Sequence, residues 1–324
     1  MSDLCVIILN YRRAPMTIEC LRSLVSEMHA RPDRCALVID NGSGDGSADE
    51  IQAAIDDNGW SGWARLIASA VNGGFAAGNN LGLQAEHARA YLLLNSDARL
   101  LPGTIDRLLD SLQQHPRAGL IGPRLQGPDG EAQVSCFRYR TPISEMLAAA
   151  GTGFLDRLFS RFVVAAGLFE EPVEADWVSF ACILLRRQVV EHIGLMDEAY
   201  FMYFEDIDYA RRARAAGWTV VHDPSARAIH LRGGTSSVKH ALKTRSRVPR
   251  YYYESRSRYF AKFYGGLPGV ALTNIMWLLG RSIAFLRELF GAKEAHACRG
   301  EFRDNWTRWL DPMRPPSPVA GGEL

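Results

Sequence analysis

None of the six cysteines, at positions 5, 20, 35, 136, 182 and 298, has a partner at CxxC spacing. In a chain of 324 residues that scatter argues against a disulfide frame or a zinc-binding knuckle, and for reduced thiols in a cytoplasmic protein. An excess of one charge is also missing. Lys and Arg total 37 and Asp and Glu total 36, a formal net charge of +1. The whole-chain basic footprint of a nucleic-acid binder is therefore absent. The N-terminus does not read as a secretory signal, because Asp3 is followed by only six apolar residues, Leu4–Leu9. There is no internal repeat, no low-complexity tract and no Ser/His/Asp constellation. What remains is 47% hydrophobic and 23% charged. That is enough for one large domain, or a main domain with an appendage, and unlike a disordered or collagen-like chain.

The first half alternates short apolar runs with helix-like stretches. Leu4–Leu9 reads as a buried strand, Thr17–Met28 as a helix and Ala36–Ile39 as a second strand. Ser47-Ala48-Asp49-Glu50 has the form of a capping box opening a helix around Ile51–Ile55. Leu66–Ala70 and Tyr91–Leu94 read as further strands. Strands alternating with helices imply βαβ units, a largely parallel sheet and an α/β fold. Polar residues after the strands then gather along one edge, where open α/β sheets bind ligands. Beyond residue 120 the pattern is mixed. A strand is expected over Val178–Leu185, a helix over Glu205–Ala216 closed by Gly217, and a strand over Trp218–His222.

Four clusters carry chemistry. Asn10-Tyr11 follows the first strand and Asp40-Asn41-Gly42-Ser43 the second, so amides and a carboxylate can surround a nucleobase and ribose. The same DNGS tetrapeptide is also ordinary turn chemistry. Asn72-Gly73-Gly74 through Gly78-Asn79-Asn80 is glycine-rich, and its glycines permit close backbone approach. It lacks the Lys and Ser/Thr of a phosphate-binding Walker loop. Asn95-Ser96-Asp97 ends a strand, and a carboxylate there suits Mg²⁺ or Mn²⁺ held against a diphosphate, or simply caps a turn. Tyr203-Phe204-Glu205-Asp206-Ile207-Asp208 crowds three acids at a helix start beside aromatic residues. An ionised carboxylate in such a cleft is a competent general base. Asp208 has an evident structural job, since Arg212 lies at i+4. His230 follows the apolar run Ala226–Ile229, and the glycines and hydroxyl residues after it form a segment able to order around a diphosphate.

The C-terminal part differs in character. Between Lys239 and Lys262 eight Lys/Arg face one acid, Glu254, so this stretch carries +7 and leaves −6 for the rest. An uncharged run from Gly265 to Gly280 follows, resuming after Arg281 through Leu286, too short and too interrupted for a confident membrane span. Two readings stand side by side: a basic, Trp-bearing segment lying in the headgroup layer of an anionic membrane, or a helix packed on the protein with solvated charges upstream. The stretch after Pro312 reads as a loose end.

Taken in order, Val6–Tyr11, Val38–Ser43, Asn72–Gly82, Tyr91–Asp97, Asp176–Ser179 with Ala181–Arg187, Phe201–Arg212 and His230–Gly234 resemble the family-2 nucleotide-sugar glycosyltransferases. The closer likeness is to the rhamnosyltransferase-like branch that builds bacterial cell-surface polysaccharides. The resemblance implies a GT-A, Rossmann-like domain with a mixed central sheet over residues 1–240 and a C-terminal basic and helical segment, a candidate for membrane contact, over 241–324. It implies an inverting transfer from a nucleoside-diphosphate sugar to a glycan or lipid-linked acceptor, by a cytoplasmic enzyme stationed at the inner face of the plasma membrane. dTDP-rhamnose is the first expectation for the donor, then a UDP- or GDP-sugar. By the same resemblance Asn10, Tyr11, Asp40, Asn41, Ser43, Asn72, Asn79 and Asn95 contact the nucleotide, and Trp177 and Ser179 flank the sugars. Asp97 and His230 hold the divalent cation, and Asp206 is the base with Glu205 beside it. Two residues depart from the family pattern. Asn95 stands where an acid opens the metal motif, and Phe180 stands where a glycine is usual, which would narrow the sugar pocket. A sugar-phosphate nucleotidyltransferase and an inactive sugar-nucleotide binding module are the alternatives.

Overall fold

The computed structural model describes residues 2–231, 237–291 and 297–317. The chain forms two compact units. The first comprises Met1–Phe137, Gly167–Glu198 and Glu205–Gly234. Its elements begin with β1 (Ser2–Asn10), α1 (Ala14–Met28), β2 (Arg34–Asp40), α2 (Ser47–Asp57), β3 (Ala64–Ala68), α3 (Gly74–Ala85), β4 (Ala88–Asn95), β5 (Ala98–Leu100) and α4 (Thr104–Gln114). The second unit comprises Arg138–Ala166, Ala199–Phe204 and Thr235–Leu324. Continuing along the chain come β6 (Ala118–Gln126), β7 (Ala132–Gln133), β8 (Cys136–Phe137), α5 (Pro142–Ala150), α6 (Gly153–Leu158) and β9 (Ala165–Gly167). Then follow β10 (Val173–Ala175), β11 (Trp177–Val178), β12 (Cys182–Arg186), α7 (Arg187–Ile193), α8 (Glu205–Ala215) and β13 (Thr219–His230). The last helices are α9 (Ser237–Thr244), α10 (Arg250–Phe263), α11 (Leu267–Leu289) and α12 (Glu301–Asp304).

The first unit is built on a ten-stranded sheet with the path β10-β13-β6-β12-β4-β1-β2-β3, to which β5 and β7 add by pairing with β13 and β6. The half built from the early βαβ units, β3-β2-β1-β4, is parallel. β12 then runs antiparallel to both β4 and β6. The sheet is thus mixed rather than largely parallel, because the second half returns through short antiparallel links. Leu4–Ile8 and Ala36–Ile39 are fully buried, as continuous apolar runs in parallel strands covered on both faces must be.

Three sequence expectations are corrected. Ser47 does not cap α2. It is the first helical residue, Gly46 is the N-cap at φ +89°, and Asp45 takes both the amide and the hydroxyl of Ser47 at 3.1 and 2.6 Å. Val178–Leu185 is not one strand. It breaks into β11 and β12, which belong to different sheets, and Ser179 N–H donates to Ser135 O at 2.9 Å where the chain crosses between them. The strand expected over Trp218–His222 starts at Thr219 and runs on through Ala226–Ile229 as one strand, β13. The register slips between Asp223 and Arg227, around Pro224, where a proline is tolerated at a bulge.

The second unit is helical among its described residues. Its α5 and α11 pack so closely that a Cβ on Gly280 would lie 2.1 Å from the Met146 carbonyl oxygen. On α11 the buried residues Val270, Thr273, Asn274, Trp277, Gly280, Arg281 and Ala284 form one face, and the exposed Leu272, Ile275, Leu279, Leu286 and Leu289 another. The helix is long and apolar enough to cross a membrane, with 44% of its apolar window buried within the protein. The basic stretch before it is divided: Lys239, Lys243, Arg245, Arg247 and Arg250 are exposed, whereas Tyr251, Tyr253, Tyr259, Phe260 and Arg256 are buried, and Arg250 pairs with Glu254 at 2.8 Å. Nor is the stretch after Pro312 wholly loose: Ser317 donates through its hydroxyl and amide to Glu254 at 2.9 and 3.2 Å.

Candidate functional site

Strand register decides where the polar residues go. Asn10 is level with Asp40 in β1 and β2, and Leu9 with Asn95 in β1 and β4. The carboxyl ends of three parallel strands therefore deliver Asn10, Asp40 and Asn95 to one sheet edge. A Cβ on Gly42, at φ +69°, would lie 2.5 Å from the Val71 carbonyl carbon, so the loops after β2 and β3 touch through a position that only glycine fills without strain.

Hydrogen bonding at this edge is dense. Asn10 is fully buried. Its amide donates to Asp40 Oδ1 at 2.7 Å and Ser43 Oγ at 3.3 Å, and its carbonyl accepts from Thr17 Oγ1 at 2.8 Å. Ser43 also donates to Asp40 from its hydroxyl at 2.5 Å and its amide at 3.1 Å. Asn41 donates to Asn72 Oδ1 and Gly74 O at 2.9 and 3.0 Å, and Asn72 Oδ1 accepts from Gly74 N–H at 2.9 Å. Asn79 is buried and donates to Phe75 O at 2.9 Å. Asn10 and Asn79 thus have internal work as orienting residues. Asp40 is aimed by Asn10 and Ser43, and Asn72 and Tyr11 are half-buried at the rim. Gly78, whose type permits close backbone approach, admits a neighbouring strand: a Cβ on Gly78 or Gly82 would strike the side chain of Leu9 or Ile7 at 2.3 or 2.5 Å, so both let α3 close on β1.

Asp97 and His230, distant in sequence, meet through strand pairing. Asp97 lies between β4 and β5, and His230 is opposite Ala98 in the β5–β13 ladder. His230 Nε2 stands 3.5 Å from Asp97 Oδ1, and Leu231 N–H donates to Asp97 O at 3.0 Å. Both side chains are buried. The separation is long for a charge-assisted hydrogen bond, which runs about 2.7–2.9 Å. Among the described residues no group of three or more His, Cys, Asp or Glu forms a closed metal cage. One carboxylate and one imidazole, completed by phosphate oxygens of a substrate, fit a divalent cation such as Mg²⁺ or Mn²⁺.

Asn95 N–H donates to Ala181 O at 2.9 Å, which sets the 177–181 segment against the metal motif. Trp177 stacks on Phe137 with centroids 4.3 Å apart, and Ser179 Oγ accepts from Ala181 N–H at 3.3 Å. Phe180 is buried edge-on against Tyr209 of α8, centroids 6.3 Å apart, and helps seat that helix. The segment at β7 and β8 escaped the sequence reading. Gln133 Nε2 donates to His230 O at 3.1 Å, while Gln133 Oε1 and Ser135 Oγ are buried without a hydrogen-bond partner among the described residues. Buried polar atoms are seldom left unpaired away from functional sites. The glycines at 233 and 234, with Thr235 and Ser236, lie outside the described residues.

The acids of α8 have three different environments. Asp208 is buried and pairs with Arg212 at 2.7 Å, as the i+4 spacing predicts. Arg212 in turn donates to Ile193 O and Leu195 O at 2.8 and 2.9 Å. Asp206 is half-buried and accepts from Ile207 N–H at 2.8 Å. Glu205 is buried, and its Oε2 has no hydrogen-bond partner among the described residues. Burial first, and the Asp206 charge second, push the Glu205 carboxyl well above the ordinary glutamate range. Just before them, Tyr203 and Phe204 adopt left-handed φ of +68° and +70°, a conformation that costs bulky residues about 1–3 kcal/mol each.

The Glu205 shift predicts a stability slope. The folded state binds this proton more tightly than the unfolded state. Its contribution is complete below the ordinary glutamate pKa and is lost as pH rises through the raised folded value. Glu205→Gln should therefore match the wild type in acid and exceed it in Tm toward neutral and alkaline pH. Parallel Tm-against-pH curves for the two proteins would refute the assignment.

Comparison with known proteins fits this architecture. Residues 5–194 match the profile of glycosyl transferase family 2. An N-acetylglucosaminyl-diphospho-decaprenol L-rhamnosyltransferase of Mycobacterium tuberculosis is 33% identical over 249 residues, covering 71% of this chain and 76% of that protein. A low-salt glycan biosynthesis hexosyltransferase, Agl10, of Haloferax volcanii is 26% identical over 234 residues, covering 71% of this chain and 67% of that protein. Among solved structures, a mannosyltransferase of Pyrobaculum calidifontis in complex with GDP-mannose and Mn²⁺ superposes with a TM-score of 0.57 at 15% identity. That match covers 90% of this chain and 76% of the other. On these grounds the chain belongs to glycosyltransferase family 2, has the GT-A fold and counts a rhamnosyltransferase among its relatives.

Proposed function

We propose that the chain transfers a hexose, rhamnose in the first instance, from a nucleoside-diphosphate sugar to a hydroxyl of a glycan or lipid-linked acceptor, with inversion at the anomeric carbon. The observation that carries this reading is the meeting of Asp97 and His230 at the sheet edge where Asp40 also stands. Asp40, aimed by Asn10 and Ser43, takes the base and ribose together with Tyr11, Asn41 and Asn72. Asp97 and His230 hold a divalent cation, which when bound neutralises charge on the departing diphosphate. Trp177 and Ser179 flank the sugar, and Gln133 and Ser135 offer it their unpaired oxygens.

Asp206 takes the proton of the acceptor hydroxyl as its oxygen attacks the anomeric carbon. The bond to the diphosphate oxygen breaks on the opposite face, and its electron pair leaves with the nucleoside diphosphate. Burial, and the Asp206 charge beside it, raise the Glu205 carboxyl and favour its neutral form. The M. tuberculosis relative acts, by its name, on a polyprenyl-diphosphate sugar. That supports a lipid-linked acceptor and a cytoplasmic enzyme at the inner membrane face, with residues 1–240 as the transferase and 241–324 as the part nearest the lipid.

A thermal-shift panel tests the donor and the ion together. dTDP-rhamnose should raise Tm, and Mn²⁺ should raise it further, in proportion to the logarithm of ligand over Kd. Asp97→Asn and His230→Ala should keep the metal-free shift and lose the Mn²⁺-dependent part. An unchanged Mn²⁺ increment in both variants would reject the pair as ligands. A larger shift from a UDP- or GDP-sugar would replace the donor while leaving the site intact.

A further inference from the structure

The second unit holds an arginine-lined cavity of about 210 Å³, bounded by Arg247, Arg250, Arg303, Asp304, Thr307 and Arg308. Two carboxylates lie among these four guanidinium groups. Asp304 accepts from Arg247 at 2.7 and 2.6 Å. Glu254 accepts from Arg250 at 2.8 Å and pairs with Arg308 at 3.0 Å. Four positive charges against two negative ones leave the cluster at +2. Arg303 is only 4.0 Å from Asp304 at its nearest, and its side chain is 84% exposed. Arg308 is held below the usual guanidinium value, by burial first and then by repulsion from Arg250 and Arg314, offset by Glu254 and Asp311.

Apolar side chains interleave with these arginines. Phe302, Leu310 and Met313 are 53%, 65% and 49% exposed. Trp306 and Trp309 stand edge to face with centroids 5.3 Å apart, both half-buried. Arginine beside tryptophan and exposed aliphatic residues is the pattern of a surface that meets phosphate headgroups and the hydrocarbon just below them. A soluble-phosphate site has no use for exposed apolar side chains so close in sequence to its arginines, and an acidic protein partner would not select for tryptophan at the polar boundary. We propose that this cavity binds the phosphate of an anionic phospholipid at a bilayer surface, with Phe302, Leu310 and Met313 entering the interface around it. The inference does not rest on the sugar-transfer reading, and its test needs no turnover.

The full-length protein is sedimented with vesicles of phosphatidylcholine alone and of phosphatidylcholine mixed with phosphatidylglycerol. The wild type should pellet with the mixed vesicles and stay in solution with the neutral ones. Arg303→Gln, whose exposed side chain leaves Tm unchanged, should weaken binding about fivefold, the effect of one surface arginine near an anionic leaflet. Arg250→Gln should do the same, and the double variant should multiply the two losses. Competition by glycerol phosphate would place the phosphate in the cavity. Equal binding to neutral vesicles, or full binding by the double variant, overturns the proposal. So does a Tm raised by inorganic phosphate without any vesicle binding, which would assign the cavity to a soluble anion.

Discussion

Asp206→Asn should lower transfer by about 10²–10⁴-fold, the usual cost of removing a positioned base, while leaving the fold and donor binding in place. The amide keeps the size and the hydrogen-bond acceptor that meets Ile207 N–H. It cannot take a proton from the acceptor hydroxyl. The loss should appear as released nucleoside diphosphate in a coupled assay, with an undiminished thermal shift by the nucleotide sugar. The neighbouring acids provide the contrast. Asp208→Asn should show up mainly as reduced stability, since it releases Arg212 from a buried pair that also holds two carbonyls of the 193–195 segment. Near-wild-type turnover by the Asp206 variant would move the base elsewhere.

The parallel half of the sheet is legible in the sequence because its strands are continuous apolar runs that end in polar turns. Leu4–Leu9, Ala36–Ile39 and Tyr91–Leu94 all fall within observed strands. That half also fixes the edge where Asn10, Asp40 and Asn95 gather, so much of the candidate site follows from strand ends alone. The antiparallel half was harder. β7, β8 and β11 have two residues each, too short to show any period. Gln133 and Ser135 lie in and beside such strands, where no spacing rule marks them. A residue type also leaves its use open: Gly78 permits close approach of a ligand or of a neighbouring strand, and in the fold it lets α3 close on β1.

Arg256→Met should destabilise the protein by about 3–5 kcal/mol, the cost of breaking a buried ion pair from one side. Arg256 is 2% exposed. From α10 it donates to Glu145 Oε2 on α5 at 2.7 Å and to Asn274 Oδ1 on α11 at 2.7 Å, so one guanidinium ties three helices. Glu145 also takes Arg140 at 2.9 Å. Burial opposes the charged form of this carboxyl, but the Arg256 and Arg140 charges outweigh it and hold it below the ordinary glutamate range. The sign is opposite to that of Glu205: this contribution is present above the ordinary glutamate pKa and disappears as pH falls through the lowered value. Methionine fills a similar volume without the charge, leaving Glu145 buried with Arg140 alone. A second change, Glu145→Leu, should recover much of the loss, because removing both partners of a buried pair costs far less than removing one. Urea unfolding of the two single variants and the double variant measures the coupling directly. A single-variant loss below about 1 kcal/mol, as expected of an exposed pair, would mean that water reaches the Arg256–Glu145 contact and that the helices are held by their apolar seam alone.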